Sequence, residues 1–382
     1  MKPSRRTGIV NDPRFAGHCM GPDQPECQQR LDILCTMLEE AGLRNVFQEI
    51  TPRRAEKKEL LRVHSTDYIQ RLEETEGKET IYLDPDTCTS PLSHEAALLA
   101  AGGFCRAVEQ VHTGSLDNAF ALIRPPGHHA ERDAAKGFCL YNNVAVGARY
   151  ARNELGLDRV LIVDWDLHHG NGTQHCFEED PSVLFFSVHR SFFYPGSGRL
   201  REVGRGDGKG FTINIPLLPG FGDGEYLVLF ENILRPVALE FNPDIILVSA
   251  GFDIHHNDPM GGMHVTPKGF AAMTRSILDM ADVCCGGKVV MALEGGYDLE
   301  ALRDSVREVL KEMAGLQHTD KYETMMQADR KKIEYTLWRI KRIHNNYWKC
   351  FTIPANGNEQ TAPAILERIR ESLLRLAAYF KS

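Results

Sequence analysis

VLIVDWDLHHGNG (160–172) decides how this chain folds. A run of apolar, mostly β-branched residues stops abruptly in carboxylates and imidazoles, the pattern of a buried strand that delivers polar side chains at its tip. Side chains alternate along extended backbone, so Asp164, Asp166 and His168 are expected on one side and Trp165 and Leu167 on the other. An Asp-x-His pair offers a carboxylate oxygen and an imidazole nitrogen, donors suited to a divalent ion such as zinc. Taken alone, the pair equally fits capping of a following helix and bonding to backbone.

Outward from this stretch the same alternation repeats. Buried strands are expected at 8–11, 119–123, 159–164, 183–188, 211–217, 244–251 and 288–293. Helices are expected between them: at 93–111, packed closely on the sheet through Gly102 and Gly103; at 142–155, ended by Gly156; and at about 223–241, capped by Asp223 and kinked at Pro236. Thr266 and Pro267 open another helix, and Asp298 caps the one after the last strand. LDPDTCTSPLS (83–93) reads as an irregular, turn-rich loop of the kind that rims a site. After Gly315 a long charged helix (320–348), a loop (352–363) and an amphipathic helix (364–380) are expected at the edge of the same domain. Strands alternating with helices imply an α/β fold, a mostly parallel sheet with helices on both faces, in which ligands sit beyond the carboxyl ends of the strands.

All the polar clusters fall at those ends. His128 and His129 follow one strand, Asp166 and His168 another, Asp253 a third, and Glu294, Tyr297 and Asp298 a fourth. Four polar tips on one edge exceed what capping requires and point to metal-assisted hydrolysis. The two histidines are held on a stiff loop, because Pro125, Pro126 and Gly127 suit neither helix nor sheet interior.

Composition sets the limits. A chain of 382 residues with 42% hydrophobic and 25% charged residues can bury a large single core. A formal charge of −8 gives no global basic field for nucleic acid. The ten cysteines are scattered without a Cys-x-x-Cys motif, as reduced thiols would be, and no membrane-length apolar run occurs. A cytoplasmic protein is expected, of open oligomeric state.

RPPGHH (124–129), GFCLYNN (137–143), DWDLHHGNGTQ (164–174), AGFDIHHNDPMGG (250–262) and LEGGYD (293–298) together resemble the zinc-dependent histone deacetylase family, with its bacterial amidohydrolase and acetylpolyamine amidohydrolase members. The likeness runs in unbroken order over about 8–315, and Asn171 in HHGNG places it nearest the class II branch. It implies a single arginase/deacetylase-like domain over 1–315 with a C-terminal helical extension, 316–382, packed on it. By the resemblance, Asp166, His168 and Asp253 bind one Zn²⁺, a donor set that also accommodates Fe²⁺. His129 resembles the general base and His128 its partner, held by Asp164; Asn171 would orient His129 without adding charge. Tyr297 resembles the oxyanion donor. Gly137, Phe138, Tyr194, Asp86 and Met260 fall at positions of the substrate channel and its rim, with Phe192 and Phe193 competing for the place given to Tyr194. A structural K⁺ is implied at backbone carbonyls near Asp164, Asp166 and His168, with Ser187 and Val188.

The resulting expectation is hydrolysis of an N-acyl, most simply acetyl, amide on a lysine side chain of a protein or peptide. An acylated polyamine is the alternative substrate; Met260 offers no carboxylate for a second ammonium, although Asp86 at the rim could bond either substrate. Two further readings differ in class. A dimanganese ureohydrolase would want carboxylates where the chain has Gly170 and His255, and a non-catalytic acyl-lysine binder would be expected to lack one of the groups above.

Overall fold

The alternation of strand and helix resolves, in a computed structural model that describes residues 3–21, 24–40 and 42–352, into one parallel sheet with helices packed on it. In chain order the strands are β1 (Thr7–Val10), β2 (Gln48–Glu49), β3 (Ile81–Asp84), β4 (Thr87–Thr89), β5 (Asn118–Ala121), β6 (Val160–Asp164), β7 (Val183–Arg190), β8 (Thr212–Leu217), β9 (Ile245–Ala250) and β10 (Val289–Leu293). Eight of them pair in the order β2-β1-β5-β10-β9-β6-β7-β8, and every neighbouring pair is parallel. Because all strands point the same way, their carboxyl ends share one edge. The central strands β5, β10, β9 and β6 are buried at every residue, which requires cover on both faces. Helix Ser93–His112 packs on β1, β5 and β10, and helix Pro267–Cys285 on β9 and β10.

Local chemistry sets the helix starts. The Asn142 side chain accepts from the Ala145 nitrogen, Thr266 from Gly269 and Asp298 from Ala301, each satisfying an N–H that its helix leaves open. Asp223 is not a cap. It is the first helical residue, and its carboxylate reaches across to the Thr266 nitrogen (2.8 Å) and hydroxyl (2.6 Å), joining two helix starts. The 223–241 helix passes through a π segment at Phe230–Leu234, one residue short of Pro236, which lacks the N–H a regular turn would use.

Other expectations are revised. Residues 81–89 form a β3–β4 hairpin rather than an irregular loop, with Pro85 and Asp86 at the turn. Gly102 lies against the backbone of Arg53–Ala55, and Gly103 against Val10 and Pro52, so this pair admits the 52–55 segment as well as the sheet. Strand β7 continues through His189 and Arg190. The single helix expected at 320–348 is two, Lys321–Met325 and Arg330–His344, each capped by an aspartate, Asp320 and Asp329. These helices pack against the 223–234 segment, and the first also against 267–285. The helix expected at 364–380, and most of the loop before it, lie outside the described residues. Among the described residues no helix is long and apolar enough to cross a membrane.

Candidate active site

The ladder of β6 ends at Asp164, yet the alternation continues beyond it by a different device. The Asp166 nitrogen donates to Asp164 Oδ1 (3.1 Å) and the His168 nitrogen to Asp166 Oδ1 (2.8 Å), two successive turns closed by aspartate side chains. Trp165 and Leu167 are thereby driven into the core, while Asp166 and His168 turn toward Asp253, beyond the end of β9. His168 Nδ1 lies 3.1 Å from Asp166 Oδ1 and 3.0 Å from Asp253 Oδ2, and one ligand atom from each residue falls within 4.8 Å of the others. Backbone donors hold the remaining oxygens: Gly295 N to Asp166 Oδ2 and Leu167 N to Asp253 Oδ1, both 2.8 Å. A Cβ at Gly251 would sit 2.0 Å from Asp166 Oδ2, and one at Gly295 would sit 2.4 Å from Asp253 Oδ2, so neither position tolerates a side chain. Burial, reinforced by Asp166, pushes the Asp253 carboxyl up to about 7. Two buried carboxylates and one imidazole converging in this way suit a divalent cation, which would supply the missing positive charge.

The tandem histidines diverge. His128 Nδ1 meets Asp164 Oδ2 at 3.0 Å; burial opposes its charge, but Asp166, Asp164 and Glu294 outweigh that and raise it to about 10. His129 Nδ1 meets Asn171 Oδ1 at 2.6 Å, and burial, with His128 and His168 nearby, holds His129 well below its ordinary value. The two rings are thus pushed in opposite directions, although their centroids lie only 4.0 Å apart. Glu294 fixes the loop that carries them, accepting from the Gly127 (2.7 Å) and His128 (3.2 Å) nitrogens.

Tyr297 sits on the turn after β10. Burial raises its phenol well above the ordinary value, so it remains a donor. Asp258 and Arg30 hold this turn. Asp258 Oδ2 accepts from the Tyr297 nitrogen (2.7 Å), and Arg30 donates to the carbonyls of Gly296 (2.7 Å) and Glu294 (2.5 Å), its guanidinium carbon 5.3 Å from the Tyr297 ring centre. Arg30 is itself anchored to the buried Glu26, which also pairs with Arg124.

At the rim the three adjacent aromatics separate. Phe192 is 98% exposed, Phe193 stacks on His168 with centroids 5.4 Å apart, and Tyr194 meets the His129 ring edge-on at 5.1 Å. Their loop is tied down by His189, whose Nε2 donates to the Gly198 carbonyl (2.8 Å), and by His169, bonded to Ser197 (2.8 Å). Phe138 packs edge-on against Tyr297 at 6.1 Å. Its φ of 69° is costly for a non-glycine residue, and its nitrogen is held by the Thr87 hydroxyl (2.9 Å), which donates in turn to Asp86 (2.9 Å). Gly137 touches the His129 ring directly, for a Cβ there would come within 2.3 Å of Cδ2. Met260 is half-buried; its nitrogen donates to Asp258 (2.9 Å) and its carbonyl accepts from Arg190 (3.3 Å).

The residues singled out in the sequence thus lie at the carboxyl edge of the sheet or on the adjoining hairpin. Sequence reasoning missed Arg30, Asp258, Thr87, Glu131 and Arg190. Asp258 stands within the NDPMGG motif and Glu131 directly follows HHA, so adjacency to the quoted motifs was the available signal. Arg30 lies on an ordinary amphipathic helix and gave none.

Comparison with known proteins agrees with this architecture. Residues 24–313 match the histone deacetylase domain. A probable deacetylase of Archaeoglobus fulgidus is 39% identical over 360 residues, which cover 90% of this chain and 99% of that protein. Histone deacetylase 5 of Arabidopsis thaliana is 45% identical (79% of this chain, 48% of the relative), and the polyamine deacetylase HDAC10 of Homo sapiens 43% identical (77% and 46%). The solved HDA15 HD domain superposes with a TM-score of 0.84 at 36% identity, covering 91% of this chain and 97% of its own. The fold is therefore that of the histone deacetylase domain. The chain belongs to the histone deacetylase family and is class II-like. It spans about half the length of the plant and human relatives named here.

Proposed function

We propose that the chain is a zinc-dependent deacetylase that hydrolyses the acyl amide of an acylated lysine side chain. The observation that carries this reading is the Asp166/His168/Asp253 cluster with His129 beside it, its Nδ1 bonded to Asn171. Those three residues would hold Zn²⁺, which when bound acidifies water and polarises the acyl oxygen. His129 accepts the water's proton, since a neutral imidazole bonded through Nδ1 keeps its other nitrogen free. His128, clamped by Asp164 through Nδ1, stands as its partner beside the reacting atoms. The Tyr297 phenol donates to the oxygen on which charge develops, a contribution of about 3 kcal/mol for one good donor. Tyr194 and Phe138 serve as aromatic walls for the thin alkyl chain, with Gly137 giving it passage beside His129 and Asp86 accepting from peptide N–H at the mouth.

A single metal is favoured over a binuclear centre because position 170 has no room for a ligand: a Cβ there would stand 2.2 Å from Asp164 Oδ2. A structural K⁺ is compatible with Ser187. His189 Nε2 donates to Gly198, so its Nδ1 accepts the Ser187 proton and the hydroxyl oxygen keeps its lone pairs for a cation. In this reading residues 1–315 carry the chemistry, 316–382 are an extension, and the protein works in the cytoplasm.

Lysine is preferred to polyamine because Arg190 lies against the Met260 carbonyl. A cation there, with no carboxylate on the side chain at position 260 to offset it, disfavours the second ammonium of a polyamine. The test compares kcat/KM for an acetyl-lysine peptide with that for acetylspermidine on zinc-loaded protein. A peptide preference supports the assignment, and a tenfold preference for the polyamine, about 1.4 kcal/mol, rejects it.

A further inference from the structure

Beyond His129 and Asn171 the polar chain continues outward. Asn171 Nδ2 donates to Glu131 Oε1 (2.5 Å) and more weakly to the His129 carbonyl (3.3 Å). His175, one turn after Asn171 on helix Asn171–Phe177, brings Nδ1 to within 3.0 and 2.9 Å of the two Glu131 oxygens. Glu131 is largely buried, its side chain 19% exposed, and its backbone is pinned on both sides: its nitrogen bonds to Ala134 O and its carbonyl to His64 Nδ1, each at 2.9 Å. Burial opposes its charge, yet the bonds from His175 and Asn171 outweigh that and keep it ionised.

An ionised carboxylate accepts and cannot donate. It therefore dictates which end of the Asn171 amide it meets: the NH₂ faces Glu131 and the oxygen faces His129. An amide oxygen also only accepts, so His129 Nδ1 must carry the ring hydrogen and Nε2 the lone pair. With the amide reversed, an N–H would face Nδ1, the ring hydrogen would move to Nε2, and His129 could take no proton there. We propose that Glu131 is a positioning residue that sets the tautomer of His129 through the orientation of the Asn171 amide, with His175 as its outer partner. The proposal rests on the reading of His129 as the proton acceptor.

The arrangement makes an unusual demand on substitutions. In Glu131→Gln the new amide can offer either its oxygen or its NH₂, so only the weaker bond to the His129 carbonyl still favours the native orientation of Asn171, and the reversed one becomes accessible. In Asn171→Asp a second carboxylate is forced against Glu131. In the double variant the carboxylate introduced at position 171 needs no orienting: it accepts from His129 on one side and from the amide NH₂ introduced at position 131 on the other. The experiment measures kcat and KM of the zinc-loaded full chain together with the ¹⁵N resonances of labelled histidine, which report the ring tautomer. Expected are a mixed His129 tautomer and a kcat lowered about tenfold with KM held within about twofold in Glu131→Gln, a larger loss in Asn171→Asp, and recovery of both tautomer and kcat in the double variant. A pure Nδ1–H tautomer in Glu131→Gln, or a double variant no better than Asn171→Asp alone, overturns the proposal. His129→Ala separates the two readings. Full activity in that variant removes His129 from the chemistry, while the tautomer spectrum of Glu131→Gln still decides what Glu131 does.

Discussion

The backbone nitrogen of Tyr297 donates to the carboxylate of Asp258 across 2.7 Å, and the same carboxylate takes up Asp298 N at 3.3 Å and Met260 N at 2.9 Å. One buried aspartate thus sets the turn that carries the phenol and the turn that carries Met260. Replacing Asp258 by alanine is expected to lower kcat about tenfold, because the donor loses its aim before the substrate loses its contacts. Steady-state kinetics on the zinc-loaded variant check this; an unchanged kcat would show that Arg30 holds the turn unaided.

Tyr297→Phe removes only the hydroxyl. Turnover is expected to fall about 10²-fold with the fold intact, since the proposed oxyanion donor is lost. His129→Ala should be at least as damaging and His128→Ala milder. A change confined to KM in Tyr297→Phe would place the phenol in substrate binding.

The metal content should be one divalent ion per chain after gentle dialysis, measured by elemental analysis, and Asp253→Asn should reduce it. Replacing a carboxylate by an amide removes charge and the stronger donor while keeping the shape of the site. Two tightly held Mn²⁺ per chain would contradict the single-site reading.

Substrate choice offers a sharper test at position 260. Met260→Glu introduces the carboxylate that a polyamine requires, so the ratio of kcat/KM for acetylspermidine to that for the peptide should rise about tenfold or more. An unmoved ratio would mean that Arg190, beside the Met260 carbonyl, neutralises the new charge, and Arg190→Gln in the same background would then release it.

Acid stability should trace to Glu26. Burial alone would raise its carboxyl, but Arg124, His18 and Arg30 hold it down to about 2. A depressed folded value means stability that is complete above the unfolded value near 4.5 and disappears as pH falls toward 2, about 3 kcal/mol in all. The difference in Tm between the native chain and Glu26→Gln is expected to be constant above about pH 5 and to shrink between about pH 4.5 and 2. A difference independent of pH would assign the loss to packing.

Much of this was legible because the chemistry sits where strands end. Val160–Asp164 and Ile245–Ala250 announce themselves as buried strands, and parallel pairing then forces Asp166, His168 and Asp253 onto one edge whatever the loops do. Local sequence misleads where it carries two messages. Pro85 and Asp86 fit a hairpin turn as well as an irregular loop, and the pairing of Ile81, Tyr82 and Asp84 with Thr89, Cys88 and Thr87 distinguishes them. It is silent where partners are remote. Arg30 lies 266 residues from Gly296, and no periodicity or motif records a bond of that span. The π segment at Phe230–Leu234 is a third case: Pro236 signals a break but not whether the helix kinks or widens, and the 267–285 helix packed against it is remote in sequence.

The grip of Arg30 on the Glu294 and Gly296 carbonyls has a consequence for how the gene can be shortened. The proposed metal ligands, histidines and phenol lie between His128 and Tyr297, so a reading frame begun just upstream of RPPGHH would encode all of these while omitting Asp86. It would also lack Glu26 and Arg30, leave the Arg124 guanidinium buried without a counter-ion and strip β5 of its neighbour β1. Such a fragment is expected to be insoluble and metal-free, and adding residues 1–117 as a separate polypeptide should restore it only where the two halves are produced together.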